Sequence, residues 1–191
     1  VGGNTEYRDY DTVGRLVRIR DNVGTIVLDY DNVDRVVRET TDVGGLVNKV
    51  EYEYDALDRR VKRTVNGADP TTYSYDLASR LTTIGFRSRS VAYEWDNASR
   101  LTAKVLPNGI RQEYIYDNAS RLVAIYFRKS DNTLIDSIVY GYDANGRRVS
   151  RTTGLLSNVE TPMQGSYDEA SRMTSVSFPT ATRTCTMTYD A

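Results

Sequence analysis

The 191-residue sequence has no histidine and a single cysteine, Cys185. Without histidine, Ser-His-Asp and Cys-His catalysis are excluded, and the commonest metal ligand is missing. A lone thiol makes no internal disulfide, and Cys185 is read as a small buried hydrophobe. An excess of either charge is also missing. Lys+Arg number 25 and Asp+Glu 26, a formal net charge of −1, which argues against a general nucleic-acid or anionic-membrane surface. No run of 18 apolar residues is present to make a membrane-spanning helix. No stretch repeats its apolar residues at helical spacing. No signal peptide is visible, yet the chain starts at Val1 rather than Met and stops inside a repeat, so it is read as a piece of a longer protein. Phenylalanine is scarce, at 3 residues, where tyrosine is abundant, at 15. Tyrosine suits a sheet with one wet side, because its ring is apolar and its hydroxyl is not.

What is present is a repeat. "YEWDNASRLTAKVL" returns 21 residues later as "YIYDNASRLVAIYF". The common element is an aromatic–Asp pair: Tyr10-Asp11, Tyr30-Asp31, Tyr54-Asp55, Tyr75-Asp76, Trp95-Asp96, Tyr116-Asp117, Tyr142-Asp143 and Tyr167-Asp168. A ninth begins at Tyr189-Asp190. Spacings between successive Asp residues run from 20 to 26. Four residues after each complete Asp comes an arginine: Arg15, Arg35, Arg59, Arg80, Arg100, Arg121, Arg147 and Arg172. The next residue is apolar in six copies (Leu16, Val36, Leu81, Leu101, Leu122, Met173) and arginine in two, Arg60 and Arg148. Two residues before the aromatic, five copies carry another tyrosine: Tyr52, Tyr73, Tyr93, Tyr114 and Tyr140. The first fifty residues add a finer period, with "DTVGRLV", "DNVGTIV", "DNVDRVV" and "TDVGGLV" ten residues apart. A period of this kind marks a repeat architecture.

Between turns the chain alternates. In "GLVNKVEYEYD", Leu46, Val50, Tyr52 and Tyr54 share one parity while Val47, Lys49, Glu51 and Glu53 share the other. That is the period of a strand with one buried face. The motif itself reads as a turn. Asp favours the first position of a type I turn, and a three-residue hairpin loop follows it with a residue in the left-handed conformation. The occupants of that fourth position are Gly14, Asp34, Asp58, Ser79, Ser99, Ser120, Gly146 and Ser171; serine is the least comfortable of these there. Such a loop sets Asp11 opposite Arg15 and Tyr10 opposite Leu16, and it predicts that Leu101, Ala103 and Val105 lie on the face of Tyr93 and Trp95. The Asp–Arg pairs are expected to be exposed. "VNGADP" (65–70) and "PNG" (107–109) mark further hairpins.

The run "YxYDxxGRL", present as "YGYDANGRR" and "YSYDLASRL", resembles the YD repeat of the Rhs family. That family includes bacterial Rhs and wall-associated polymorphic toxins, the cocoon subunit of insecticidal Tc toxins, and teneurins. The resemblance spans nearly the whole chain, 1–191. It implies an all-β fold in which repetitive antiparallel hairpins form one continuous curved or spiralling sheet, an arc of a hollow shell. In bacterial members the shell encloses a toxic C-terminal domain, which implies a secreted or cell-surface location. Two family features are missing from this sequence. There is no Asp-Pro-x-Gly-Leu-like core motif, since the one Asp-Pro, Asp69-Pro70, is followed by Thr71, and no variable domain follows the repeats. Neither self-cleavage nor toxicity is carried over.

The resulting expectation is a non-catalytic segment of an Rhs-type shell that encapsulates or presents a toxin or effector. The alternative is a surface binding or adhesion module of the teneurin kind. No residue is assigned to catalysis, cofactor or metal binding; the motif residues are assigned to the repeat itself. The aromatic row offers a sugar- or peptide-binding platform, but it obeys the repeat, whereas a ligand site should break it. The expected partners are adjoining repeats of the same larger protein, further copies paired through sheet edges, or an enclosed toxin domain, with neither nucleic acid nor a membrane span. Asn97-Ala98-Ser99 and Asn118-Ala119-Ser120 match the N-glycosylation acceptor pattern. The irregular stretches "RKSDNTLIDS" (128–137) and "TGLLSNVETPMQG" (153–165) are the candidates for a specific contact.

Overall fold

The computed structural model describes residues 5–154, 163–178 and 183–187. The chain divides into two compact units, residues 1–90 and 91–191. The described part of the first holds β1 (Tyr7–Tyr10), β2 (Leu16–Arg20), β3 (Gly24–Tyr30), β4 (Val36–Val43), β5 (Leu46–Tyr54), β6 (Arg60–Val65), β7 (Thr71–Tyr75) and β8 (Leu81–Phe86). From β9 (Arg89–Trp95) onward lie β10 (Leu101–Val105), β11 (Arg111–Tyr116), β12 (Leu122–Arg128), β13 (Leu134–Tyr142), β14 (Arg148–Thr153), β15 (Met163–Tyr167), β16 (Met173–Phe178) and β17 (Arg183–Thr186). Within the first unit each strand pairs antiparallel with the next, from β1 to β8. The same holds from β9 to β17. The fold is all-β, a succession of antiparallel hairpins, and no helix occurs among the described residues.

The motif turns have the geometry that their residues demand. Asp11 donates its amide to the Arg15 carbonyl at 2.9 Å, and the Gly14 amide returns to the Asp11 carbonyl at 3.1 Å. The same two bonds recur from Asp31 to Asp168. All eight residues at the fourth position have positive φ: 89° at Gly14, 65° at Asp34, 60° to 62° at Asp58, Ser79, Ser99, Ser120 and Ser171, and 78° at Gly146. Serine therefore accepts the left-handed conformation in four copies, and at Ser79 and Ser120 the neighbouring repeat supplies a hydrogen bond to it, described below.

Register departs from expectation just beyond the turn. Tyr10 pairs with Leu16, but Asp9 pairs with Arg18, so Val17 is an extra residue. Every complete motif repeats this bulge, as in Trp95 with Leu101 followed by Glu94 with Ala103. One extra residue moves everything after it to the other face. Leu101 does stand opposite Trp95, whereas Ala103 stands opposite Glu94 and Val105 opposite Ala92; Lys104 is the residue set against Tyr93. Alternation within single strands cannot reveal such a shift.

Among the described residues burial is confined to small side chains between strands, and Val50, Ala103 and Ala124 are the buried apolar ones. Ala103 is fully covered, and its strand neighbours at the same level are Glu94 and Glu113. Arg111 joins these two carboxylates, with Nη1 and Nη2 at 2.5 and 2.7 Å from Glu94 and Nε at 3.1 Å from Glu113. Arg128 reaches Glu113 from the next strand at 2.9 Å. The Arg111 guanidinium holds Glu94 below the usual carboxylate range. Partial burial opposes the same effect at Glu113, and Arg128 and Arg111 outweigh it. Cys185, expected to be buried, is exposed on β17 opposite Val176; a one-layer sheet offers few places where a small side chain is covered.

Candidate functional site

The motif aspartate serves three donors. In the first repeat, Asp11 Oδ1 accepts the amides of Val13 and Arg15 at 3.0 and 2.9 Å, and Oδ2 accepts Arg15 Nε at 2.7 Å. Asp31, Asp55, Asp76, Asp96, Asp117 and Asp143 bind the same three groups of their own turns. Asp168 takes the amide and Nε of Arg172. These bonds hold all eight carboxylates below their ordinary range. At Asp11 and Asp55 the arginine side chain is the largest cause. At Asp76, Asp96, Asp117 and Asp168 it is the arginine amide. At Asp31 and Asp143 partial desolvation opposes most strongly, and the hydrogen bonds outweigh it.

The arginine then reaches into the following repeat. Arg15 stacks over the Tyr30 ring, 4.8 Å from its centroid, and its Nη1 donates to the Asp31 carbonyl at 3.3 Å and the Asp34 carboxylate at 2.6 Å. Arg35 does the same with Tyr54, Asp55 and Asp58. Arg59 uses Tyr75, the Asp76 carbonyl and Ser79 Oγ. Arg100 covers Tyr116 and donates to Ser120 Oγ at 3.1 Å. Arg121 covers Tyr142 and meets the Asp143 carbonyl, while Arg147 covers Tyr167 and meets the Asp168 carbonyl. Arg80 and Trp95 carry the same motif positions. The hydroxyls of Ser79 and Ser120 are thus acceptors for the preceding repeat's arginine, which offsets a left-handed conformation that costs an L-residue roughly 1–2 kcal/mol.

The tyrosine closes the link. Tyr30 donates its hydroxyl to the Leu16 carbonyl at 2.8 Å. Tyr54, Tyr75, Tyr116, Tyr142 and Tyr167 donate to Val36, Arg60, Leu101, Leu122 and Arg148. Each acceptor is the residue after the preceding motif arginine, and it sits at the bulge. Each of these tyrosines therefore gives a carbonyl at the irregular part of the ladder a hydrogen-bond donor. Pairs expected to be exposed are partly covered: in the first three repeats the arginine side chains retain 22 to 30% exposure, because the next tyrosine lies on the guanidinium. The sequence pairs Asp with Arg within one motif; the link from each arginine to a tyrosine 15 to 21 residues later is the part that sequence reasoning missed.

Off-pattern candidates resolve into turns where they are described. "RKSDNTLIDS" folds as one more three-residue loop, with the Lys129 amide on the Thr133 carbonyl, Asn132 at φ 68°, and Asp131 accepting the Thr133 amide. Residues 155–162 of the other stretch lie outside the described residues, as does the ninth motif at Tyr189-Asp190. Asp69, of the Asp-Pro pair, accepts Arg87 Nε at 2.5 Å. Both acceptor-pattern tripeptides sit in motif turns, with Ser99 and Ser120 at the left-handed position. "PNG" forms a three-residue loop, Leu106 to Ile110, with Gly109 at φ 80°.

No family model matches the chain, and no curated protein matches it in sequence. Solved structures do match in fold. The crystal structure of TcdB2-TccC3-Cdc42 is similar over 90% of this chain and 10% of its own, at 17% identity and a TM-score of 0.79. The crystal structure of TcdB2-TccC3 without its hypervariable C-terminal region is similar over the same shares, at 16% identity and a TM-score of 0.80. A Tc holotoxin pore from Photorhabdus luminescens, with a TccC3 D651A mutation, gives 17% identity and a TM-score of 0.77. The chain therefore has the Rhs/YD-repeat fold, and it spans about a tenth of the length of these structures.

Proposed function

We propose that this chain is a non-catalytic wall segment of an Rhs-type shell that encloses or presents a C-terminal toxin or effector, outside the cell or at its surface. One observation carries the reading: the side chains that define the repeat are engaged with one another. The motif Asp holds its own turn, the Arg ties that turn to the next, and the Tyr returns to the preceding bulge. A residue set occupied in this way builds a wall and has no group poised for proton transfer or attack. The likeness in fold to TcdB2-TccC3 supports the same reading. Adjoining repeats of the same larger protein are the partners it implies. The test is limited proteolysis of the full-length gene product. A C-terminal domain that stays resistant until the repeats are cut, and is digested at once when expressed alone, supports a shell. A product without such a domain that binds cells or glycans through the repeats overturns it in favour of the adhesion module.

A further inference from the structure

Two of the eight motifs break the repeat in the same way. After the motif arginine they read Arg60-Val61-Lys62-Arg63 and Arg148-Val149-Ser150-Arg151, where sister repeats carry an apolar residue first and, fourth, Ile19, Ile84, Ile125 or Val176 in four copies and Glu39 or Lys104 in the other two. The register puts both extra arginines on the tyrosine face. Arg60 stands opposite Tyr54 and Arg63 opposite Tyr52. Arg148 stands opposite Tyr142 and Arg151 opposite Tyr140. Arg60 lies between two rings, 5.5 Å from Tyr52 and 5.0 Å from Tyr73; Arg148 lies 5.4 Å from Tyr140. Among the described residues none of these four guanidinium groups pairs with a carboxylate. That sets them apart from the motif arginines and from Arg111 and Arg128, which all have such pairs.

We propose that each of these arginine pairs, one in each unit, is a docking site for an acidic polypeptide whose carboxylates alternate with apolar or aromatic side chains. The charge complement is specific to this face. From β5 to β8 it carries Tyr52, Tyr54, Arg60, Arg63, Tyr73 and Tyr75 and no carboxylate, while Glu51, Glu53 and Lys62 lie on the other face; on the adjoining β4, Glu39 stands opposite Val50. In the second unit the corresponding strand carries Asp136 four residues from Tyr140, with its Oδ1 on the Ser137 amide. Tyrosine rings lie against Arg60 and Arg148, and such a contact leaves the N–H groups at the guanidinium edge able to meet a carboxylate. A small anion on such an open face stays hydrated and gains little. A polypeptide gains more in the first unit, because it also covers exposed apolar surface such as Phe86, which stands level with Arg63 across Thr71. An extended strand presents alternate side chains about 7 Å apart, a spacing that lets successive carboxylates meet the two arginines in turn. The inference stands on these residues whether or not the chain forms part of a shell.

The test uses the 191-residue chain and a fluorescent copolymer of glutamate and tyrosine at 100 mM NaCl, followed by anisotropy. The proposal expects saturable binding that weakens with salt. Replacing Arg60 and Arg148 by Leu, and Arg63 and Arg151 by Ile, installs the sister repeats' own residues and should weaken binding at least tenfold with the circular dichroism unchanged. Arg18→Gln with Arg38→Gln should leave binding within twofold. If the fourfold variant does not fold, Arg63→Ile with Arg151→Ile is read instead, with at least a threefold loss expected. Unchanged affinity in the folded variant overturns the proposal. So does equal displacement by inorganic phosphate or heparin at matched charge, which would mean a general anion surface.

Discussion

The two ends of each hairpin are built on different principles. At the motif end, all eight turns share one geometry, and within each unit successive turns are tied by an arginine and a tyrosine. At the other end the turns differ from one another. Asp21 to Gly24 is a two-residue loop, and Gly44-Gly45 and Asn66-Gly67 both have two consecutive positive φ values. Leu106 to Ile110 and Lys129 to Thr133 are three-residue loops. Near-identical letters give different turns: "DTVG" at 11 is held by the Asp–Arg pair, whereas "DNVG" at 21 leaves Gly24 without a positive φ. Uniformity at one end is therefore imposed by a network between repeats. Variety at the other is what local turn chemistry gives when nothing couples the turns.

Acid should separate the two ends most strongly. All eight motif carboxylates are held below their ordinary range in the folded chain. A depressed folded pKa gives stability that is full above the unfolded value, near 4, and is lost as pH falls through the folded one. Eight such groups lose their ionised form over one window, so the motif end should loosen cooperatively below about pH 4. Hydrogen-exchange protection of the Arg121 amide should collapse between pH 5 and pH 2.5, and that of Ala68 in the Asn66-Gly67 turn should fall later. Loss of both together would mean that the ends are not independent.

Single substitutions come next. Tyr54→Ala removes a ring held between Arg35 and the Val36 carbonyl and should cost about 2–4 kcal/mol, a large-to-small loss reduced for partial exposure. Phe86→Ala, on the same face beside the Arg87 turn and 44% exposed, should cost about 1 kcal/mol. Urea midpoints measure both, and equal losses would remove the distinction between the ends. An effect below that of Tyr54→Ala is expected at Gly67, with φ 69° and nothing near a Cβ placed there. Gly67→Ala should cost about 1–2 kcal/mol from backbone strain alone, with no effect on neighbouring hairpins in exchange experiments.

Much of this was legible in the sequence, and the parts that were not share a cause. The three-residue loop, the left-handed fourth position and the pairing of Tyr116 with Leu122 follow from residue types within one motif. The bulge at Val17 or Thr102 leaves no mark in the letters, because the extra residue resembles its strand neighbours. The inter-repeat links were hidden because they join residues whose sequence offset varies: Arg100 to Tyr116 is 16 residues, whereas Arg121 to Tyr142 is 21. A loop of variable length between them conceals a constant contact. Arg60 and Arg148 were visible as exceptions to the apolar position, but that Arg63 and Arg151 share their face depends on that same bulge.

The smallest effect tests why serine sits at a position suited to glycine. Ser120 has φ 60° and accepts Arg100 Nη1 at 3.1 Å. Ser120→Ala keeps the strain and loses the acceptor, so it should cost about 0.5–1.5 kcal/mol. Ser120→Gly also loses the acceptor but relieves about 1–2 kcal/mol of left-handed strain and gives back roughly 0.5–1 kcal/mol in unfolded-state freedom. The two substitutions should therefore fall in the reverse of their usual order, with glycine the milder. In an Arg100→Gln background the serine hydroxyl has lost its donor, so the cost of Ser120→Ala should shrink by about 0.5 kcal/mol or more, the coupling of a contacting pair. A double-mutant cycle on urea midpoints measures it. A cycle that closes to zero would mean that the hydroxyl contributes nothing between repeats, and that serine is tolerated at this position for its turn alone.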